Sequence, residues 1–552
     1  MTEIAAPITE NPRSSTAARI GWAILILATL YVCYFGHLGA IGFVGPDEPR
    51  YAWIARDMAE TGDWVTPRLY GKPWFEKPPL LYWSAAICFK LFGASEAAAR
   101  LPSAISALLA TLALAWLALR LYGAETARWL LLLLPATVGM IGFSHAAATD
   151  MPFSATLTIA MVCAAVVLGI TRNENTPILP RTPWLALLLF GFFLGLAVLA
   201  KGPAAIILCG GAIFFWALFT KRWRDAFRLL HPAAIASFCL TALPWYILCA
   251  RRNPDFFRIF IIEHNFKRYL TPEFQHIQPF WFYIPILALG LLPWIVSCFI
   301  YLKDAVHSWR EGGWLNSPGL LFACWAIFPV LFFSLSESKL PGYILPTIPP
   351  LQLLAAQSIS LRVRTTIPGD RWIRITSGLT LLSLSLFTFV KSVRVEDFRW
   401  AALVLAAGGF AIVFPGNLWR LSQALAISVL TVIVSIPLAF MGYAGPTLDQ
   451  SVSPRFALQA ARTIWNDYSP DRAFTYRLQR PFQYSLNFYF HRELPEWSPS
   501  GVKPSWVFTS PKEITELQGF GLNCVHPSFH SAVILCEDSG SAGRLRESGQ
   551  PH

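Results

Sequence analysis

Carboxylates and cations recur along this chain at places where apolar runs begin or end. The longest such stretch reads Gly45-Pro46-Asp47-Glu48-Pro49-Arg50-Tyr51, then Gly62-Asp63-Trp64, then Phe75-Glu76-Lys77-Pro78-Pro79. Others are Thr149-Asp150-Met151-Pro152, Ala200-Lys201-Gly202-Pro203, Glu263-His264-Asn265 and Lys339-Leu340-Pro341-Gly342-Tyr343. A carboxylate beside apolar surface is costly to desolvate unless it is paired or used. Positioned against a hydroxyl, it takes the proton as that hydroxyl attacks. Arg grips two phosphate oxygens at once, and Lys binds phosphate as a point charge. Asp47 alone reads as readily as a capping, solvated loop charge as it does as a functional group; Asp47 with Glu76 and Lys77 favours chemistry. Lys201 and Lys339 stand at the ends of apolar runs, where snorkelling is ordinary.

The frame that must position these groups is a membrane body. Of the 552 residues, 55% are apolar and only 14% charged, against about a quarter charged in a soluble protein. The mean hydropathy is +0.48. Phe (41) and Trp (22) are abundant, as aromatic belts at the bilayer interfaces require. The net charge of +12 does not point to nucleic acid, because the basic residues are scattered among apolar spans instead of forming a stripe. It fits membrane orientation and an anionic lipid ligand. Cysteine offers no Cys-x-x-Cys spacing, hence no zinc knuckle or redox motif. Most of the cysteines lie in apolar runs as small hydrophobes. Cys524 and Cys536 lie in the tail, where a disulfide is open to them if the tail is extracytoplasmic.

The first apolar run, Ile20 to Phe43, is long enough to cross about 30 Å of hydrocarbon and too long for a signal-peptide core, so it reads as a retained anchor. Further spans are expected near 101–121, 126–144, 151–171, 184–200, 203–220, 231–249, 280–302, 317–335, 343–360, 376–390, 400–415 and 421–443, about thirteen in all. Lys221, Arg222, Arg224 and Arg228, with Arg362, Arg364, Arg371 and Arg374, mark the cytoplasmic side. Lys391, Arg394 and Arg399 run against that asymmetry. An odd span count then puts the N-terminus inside and the tail outside.

Two outer loops are long, about 44–99 and 250–279. In the first, Asp47 or Glu48 is expected to cap a helix beginning at Pro49. Its apolar stripe is Tyr51, Ile54, Ala55 and Met58, and Gly62 ends it. A second amphipathic piece is expected over Pro79–Phe92, both lying on the membrane surface. Residues 1–443 form the membrane domain. Residues 444–552 change to mixed polar composition and read as a small α/β domain, with a helix at Phe456–Trp465 and strands at Ala473–Tyr476, Trp506–Thr509 and Ala532–Leu535. Every motif lies before residue 350, so this domain is expected to tune acceptor access and to do no chemistry.

The first-loop motifs resemble the first outer loop of the aminoarabinose transferases that modify lipid A, relatives of the bacterial protein O-mannosyltransferases among the GT-C fold glycosyltransferases. The resemblance continues at the Asp150, Lys201, Glu263-His264-Asn265 and Lys339 stretches and at Pro279-Phe280-Trp281-Phe282-Tyr283, covering about residues 18–360. It implies a polytopic α-helical GT-C enzyme of the bacterial inner membrane. Such an enzyme moves a sugar from a polyprenyl (undecaprenyl) phosphate to lipid A, a glycan or a protein at the outer face, with inversion. By analogy Asp47 orients or deprotonates the acceptor and Asp150 supports it, with Glu76 as a third catalytic carboxylate. Arg50, Lys77, Lys201, Lys339 and Tyr343 then bind substrate. The family also implies a divalent metal on Glu76 and His264, a thin ligand set. Where close aminoarabinose transferases continue with small residues, this chain has Pro79-Leu80-Leu81-Tyr82-Trp83, which leaves the sugar and acceptor open. The rival readings are a transporter or lipid flippase and a non-catalytic assembly factor. A transporter would place ionisable residues at mid-span and repeat its halves, and this sequence does neither.

Overall fold

A computed structural model describes residues 15–170, 183–267, 278–310, 317–364, 370–392, 398–413, 420–440, 444–464, 473–500, 504, 506–525 and 531–538. Helix α1 (Thr16–Tyr34) is capped by Ser15, whose hydroxyl accepts from the Ala18 amide at 3.2 Å. It leads through a non-helical stretch to α2 (Asp47–Thr61), a short β-hairpin (Arg68–Leu69 with Lys72–Pro73) and α3 (Leu80–Phe92). Ser95 caps the long α4 (Glu96–Tyr122), which Gly123 ends at φ +96°. After α5 (Ala124–Leu133) and α6 (Val138–Ser144) comes α7 (Asp150–Val167), whose Pro152 falls in the first turn, where a missing amide is harmless. Nearly all of α7 is buried, so it is the axis around which α4 and α8 (Pro183–Lys201) pack.

Among the described residues, eight helices are long and apolar enough to cross a membrane, or up to ten if each bent pair is one span. The bent pairs are α5 with α6, at 61°, and Phe280–Gly290 with Ile295–Arg310, at 113°. Pro135 and Pro293 stand at the two breaks and account for them by removing helical hydrogen bonds. The expected count of about thirteen is thus not reached by helices of spanning length. Shorter apolar helices, Ala204–Thr220, Gly319–Ser334 and Arg399–Val413, occupy three of the expected stretches.

Both helices expected in the first loop are present. Helix α2 starts at Asp47, two residues before the expected Pro49, so Asp47 and Glu48 lie inside its first turn and do not cap it. Tyr51, Ile54, Ala55 and Met58 are buried as the stripe requires, and Gly62 closes the helix at φ +74°. The C-terminal part carries helices Ala444–Val452, Arg455–Ile464 and Arg480–Phe490 and a four-stranded sheet. Ala473–Tyr476 pairs parallel with Trp506–Thr509, which is antiparallel to Ile534–Asp538, itself antiparallel to Leu522–Val525. Cys524 and Cys536 face each other across the last pair and are joined as a disulfide. This domain sits on the first loop. Phe43 and Phe488 meet edge to face at 4.8 Å, and the Arg56 guanidinium donates to the Phe488 carbonyl at 3.2 Å.

Candidate active site

Helix α2 carries two charged side chains of the site, Asp47 and Arg50. Arg50 lies one turn after Asp47 and pairs with its carboxylate. The same guanidinium reaches Glu76 at 3.2 Å, and Lys77 approaches Glu76 from the other side at 3.7 Å. Tyr51, Trp74 and Tyr484 flank Arg50, their ring centres 5.5–5.8 Å from its central carbon. Burial works against the Arg50 charge, but Glu76, Tyr51 and Asp47 outweigh it, so its pKa is raised. Burial likewise pushes the Tyr51 phenol well above its usual range. Arg50 is therefore a fixed cation, and Tyr51 stays protonated.

The facing wall comes from the start of α7 and the end of α8. Asp150 pairs with the Lys201 ammonium, which lies 4.6 Å from the centre of the Tyr343 ring. The Pro341–Thr347 turn passes so close that a Cβ on Gly342 would stand 2.2 Å from the Asp150 carboxylate oxygen. Any side chain there must displace the Asp150 carboxylate. Between the two walls opens a cavity of about 800 Å³ on which Asp47, Glu76, Lys77, Asp150, Lys201 and Tyr343 all border.

Of the residues singled out in the sequence, those six converge, and Arg50 joins them through Asp47 and Glu76. Lys339 does not border this cavity. It is buried, and its ammonium donates to the Ser336 carbonyl, just ahead of the turn that carries Tyr343. His264 lies on the helix Arg258–Lys267, but its side chain falls outside the described residues. The expected metal pair therefore has Glu76 alone among the described side chains. No group of three or more His, Cys, Asp and Glu able to hold a metal occurs among them. Glu76 has Arg50 and Lys77 beside it, a setting suited to binding an anion, and no step is assigned to a metal.

Sequence reasoning missed the groups that hold this site together. Glu48 and Arg100 form a buried ion pair, with contacts of 2.7 and 3.0 Å. The Glu48 carboxylate also accepts from the amides of Val44 and Ala147, each at 2.7 Å, so it ties the first loop to the strand of chain leading into Asp150. A lone Arg in the Ala-rich opening of a span was the available signal. His145, also unread, borders the cavity and bonds the Gly36 carbonyl at 2.8 Å.

Residues 16–260 match the family described as dolichyl-phosphate-mannose-protein mannosyltransferase. An undecaprenyl phosphate-alpha-4-amino-4-deoxy-L-arabinose arabinosyl transferase from Pseudomonas fluorescens is 30% identical over 481 residues, 83% of this chain and 84% of that protein. Its counterpart from Erwinia tasmaniensis is 35% identical over 312 residues, so the chain spans only 54% of that protein. In architecture the chain is similar to the crystal structure of ArnT from Cupriavidus metallidurans bound to undecaprenyl phosphate. The TM-score is 0.74 over 96% of this chain and 99% of that one, at 22% identity. That likeness speaks for the fold, and it agrees with the expected GT-C architecture.

Proposed function

The chain belongs to the undecaprenyl phosphate-alpha-4-amino-4-deoxy-L-arabinose arabinosyl transferases, multi-pass membrane glycosyltransferases, and from that premise we propose that it moves a sugar from an undecaprenyl phosphate carrier to lipid A, a glycan or a protein. The observation that carries this reading is the cavity in which Asp47, Glu76 and Asp150 are interleaved with Lys77 and Lys201. Charge interactions are strong beside low-dielectric surface, so interleaved carboxylates and cations suit a reaction that both removes a proton and releases a phosphate.

The acceptor hydroxyl attacks the anomeric carbon from the face opposite the phosphate, and its proton passes to the Asp47 carboxylate. The bond from carbon to phosphate oxygen breaks through oxocarbenium-like charge, and its electron pair leaves with the prenyl phosphate. One displacement inverts the centre. Arg50 and Lys77 receive the phosphate charge. At rest Arg50 is held by Asp47 and Glu76. An arriving phosphate competes for that guanidinium and loosens Asp47 for its role as base. Asp150, held by Lys201, orients the acceptor from the opposite wall.

The reaction lies at the outer face of the inner membrane. In support, the basic residues collect at the far ends of the same helices that carry the site. Helix α4 runs from Arg100 beside the site to Arg120, and Ile348–Arg364 runs from the Tyr343 turn to Arg364, which pairs with Glu125 at 2.7 Å. Positive residues favour the cytoplasm. The C-terminal domain, packed on the first loop, is then periplasmic and the N-terminus cytoplasmic. The transporter or flippase reading falls with the family membership. Purified protein given undecaprenyl-phosphate-linked aminoarabinose and lipid A is expected to yield glycosylated lipid A by mass spectrometry. Release of prenyl phosphate with no transfer to lipid A, glycan or protein would overturn the proposal. A reporter active only in the cytoplasm, fused after His552, is expected to stay silent; a strong signal from it overturns the orientation.

A further inference from the structure

The stretch Leu38–Val44 joins α1 to the start of α2 and has no helix or strand to satisfy its backbone. Backbone groups buried without partners are costly, so they must be met from outside. Arg100, on α4, donates to the carbonyls of Leu38, Ile41 and Gly42 at 2.7–2.8 Å. The intervening carbonyls of Gly39 and Ala40 accept instead from Arg455, at 3.0 and 2.8 Å. Arg455 belongs to the C-terminal domain. So does Asp449, whose carboxylate accepts from the Gly42 amide at 2.7 Å and from Arg455 at 2.8 Å. The Tyr489 hydroxyl accepts from the Phe43 amide at 3.4 Å and donates to Glu96 at 2.8 Å, and Glu96 also meets Arg455 at 3.3 Å. The Val44 amide goes to Glu48. One chain segment is thus gripped alternately by an arginine of the membrane domain and an arginine of the C-terminal domain.

The fit leaves no room. A Cβ on Gly42 would stand 2.1 Å from the Ser453 hydroxyl and 2.9 Å from that of Tyr489. Burial works against the Arg455 charge, but Asp449 and Glu96 outweigh it and its pKa is raised, so the grip does not titrate away in the neutral range. The chain leaves this clamp at Val44 and reaches Asp47 three residues later, too short a tether to absorb a shift of the clamped segment.

We infer that the C-terminal domain is a positioning part of the active site, with Asp449, Arg455 and Tyr489 holding Gly39–Phe43 so that Asp47 stands across the cavity from Asp150. The domain touches no reacting atom and sets the placement of one that does. Misplacing a reacting group by about 1 Å costs up to roughly 10²-fold in rate, so the effect belongs in kcat. Donor binding, made by Arg50 and Lys77 further along, is left nearly unchanged.

This inference rests on the role proposed for Asp47, and the experiment separates the two. Full-length Asp449→Ala, Asp449→Asn and Tyr489→Phe are compared with Asp47→Asn for kcat per folded enzyme, affinity for undecaprenyl phosphate, and hydrogen exchange of the 38–46 backbone. Asp449→Ala is expected to lose about 10-fold to 10²-fold in kcat with donor affinity within about twofold. It should also lose protection at Gly42 and Phe43. Asp449→Asn keeps an oxygen for the Gly42 amide and should recover part of both losses, and Tyr489→Phe should lose least. If Asp449→Ala folds too poorly to assay, the two milder variants decide. Wild-type kcat in both, with Asp47→Asn inactive, overturns this inference alone. Full activity of Asp47→Asn overturns the reading beneath it.

Discussion

Asp47 and Glu48 are neighbours in one helical turn, and the fold treats them oppositely. The Asp47 side chain is 50% exposed, borders the cavity and has Arg50 as its ion-pair partner. The Glu48 side chain is 8% exposed and accepts from Arg100 and from two backbone amides. A buried charge with every lone pair answered becomes framework, since any exchange of partner leaves something unsatisfied. A charge at a cavity edge that is held by a single ion pair can trade that partner for a substrate. Similar residues, one position apart, are thus divided into a buried framework charge and a cavity-edge charge by saturation and burial.

The largest effect should come from breaking the framework member. Arg100→Ala leaves Glu48 buried without its cation and strips three carbonyls of their donor, so it should cost about 3–5 kcal/mol. Thermal unfolding in detergent checks this; an unchanged midpoint erases the distinction between the two carboxylates. Next is Gly342→Ala, whose added Cβ must displace Asp150. Turnover should fall roughly 10-fold to 10²-fold while the melting temperature barely moves. Loss of stability without loss of turnover would put Asp150 with Glu48 as framework. Lys77→Ala should weaken undecaprenyl phosphate binding by about 1.5–3 kcal/mol, the worth of a hydrogen bond to a charged group, as read by titration calorimetry. The smallest effect belongs to Glu60, which meets Arg56 and His491 at 2.7 Å on the surface. Glu60→Gln should change stability by less than about 1 kcal/mol.

What the sequence disclosed, and what it hid, follows the same division. Asp47, Glu76, Lys77, Asp150 and Lys201 were legible because each lies in a short local motif at the edge of an apolar run. The α2 stripe was legible from its helical spacing, although the helix starts two residues earlier, because Pro46 can precede a helix as well as Pro49 can open one. Arg100 and Asp449 were not legible: their partners lie 52 and 407 residues away, and no local pattern records such a pairing. Lys339, expected to bind substrate, donates to the Ser336 carbonyl and does not border the cavity. Among the described residues, hydropathy did not reveal that two of the expected spans are bent at Pro135 and Pro293 or that three others carry helices of fewer than 18 residues.

In the proposed mechanism Asp47 takes the acceptor's proton while Arg50 and Lys77 hold the donor phosphate. Single-turnover transfer from an undecaprenyl-phosphate-linked sugar, measured beside donor affinity for wild type and Asp47→Asn, tests it most directly. Asp47→Asn is expected to slow transfer by at least roughly 10²-fold with donor affinity preserved. Transfer at the wild-type rate by a folded Asp47→Asn protein would contradict it.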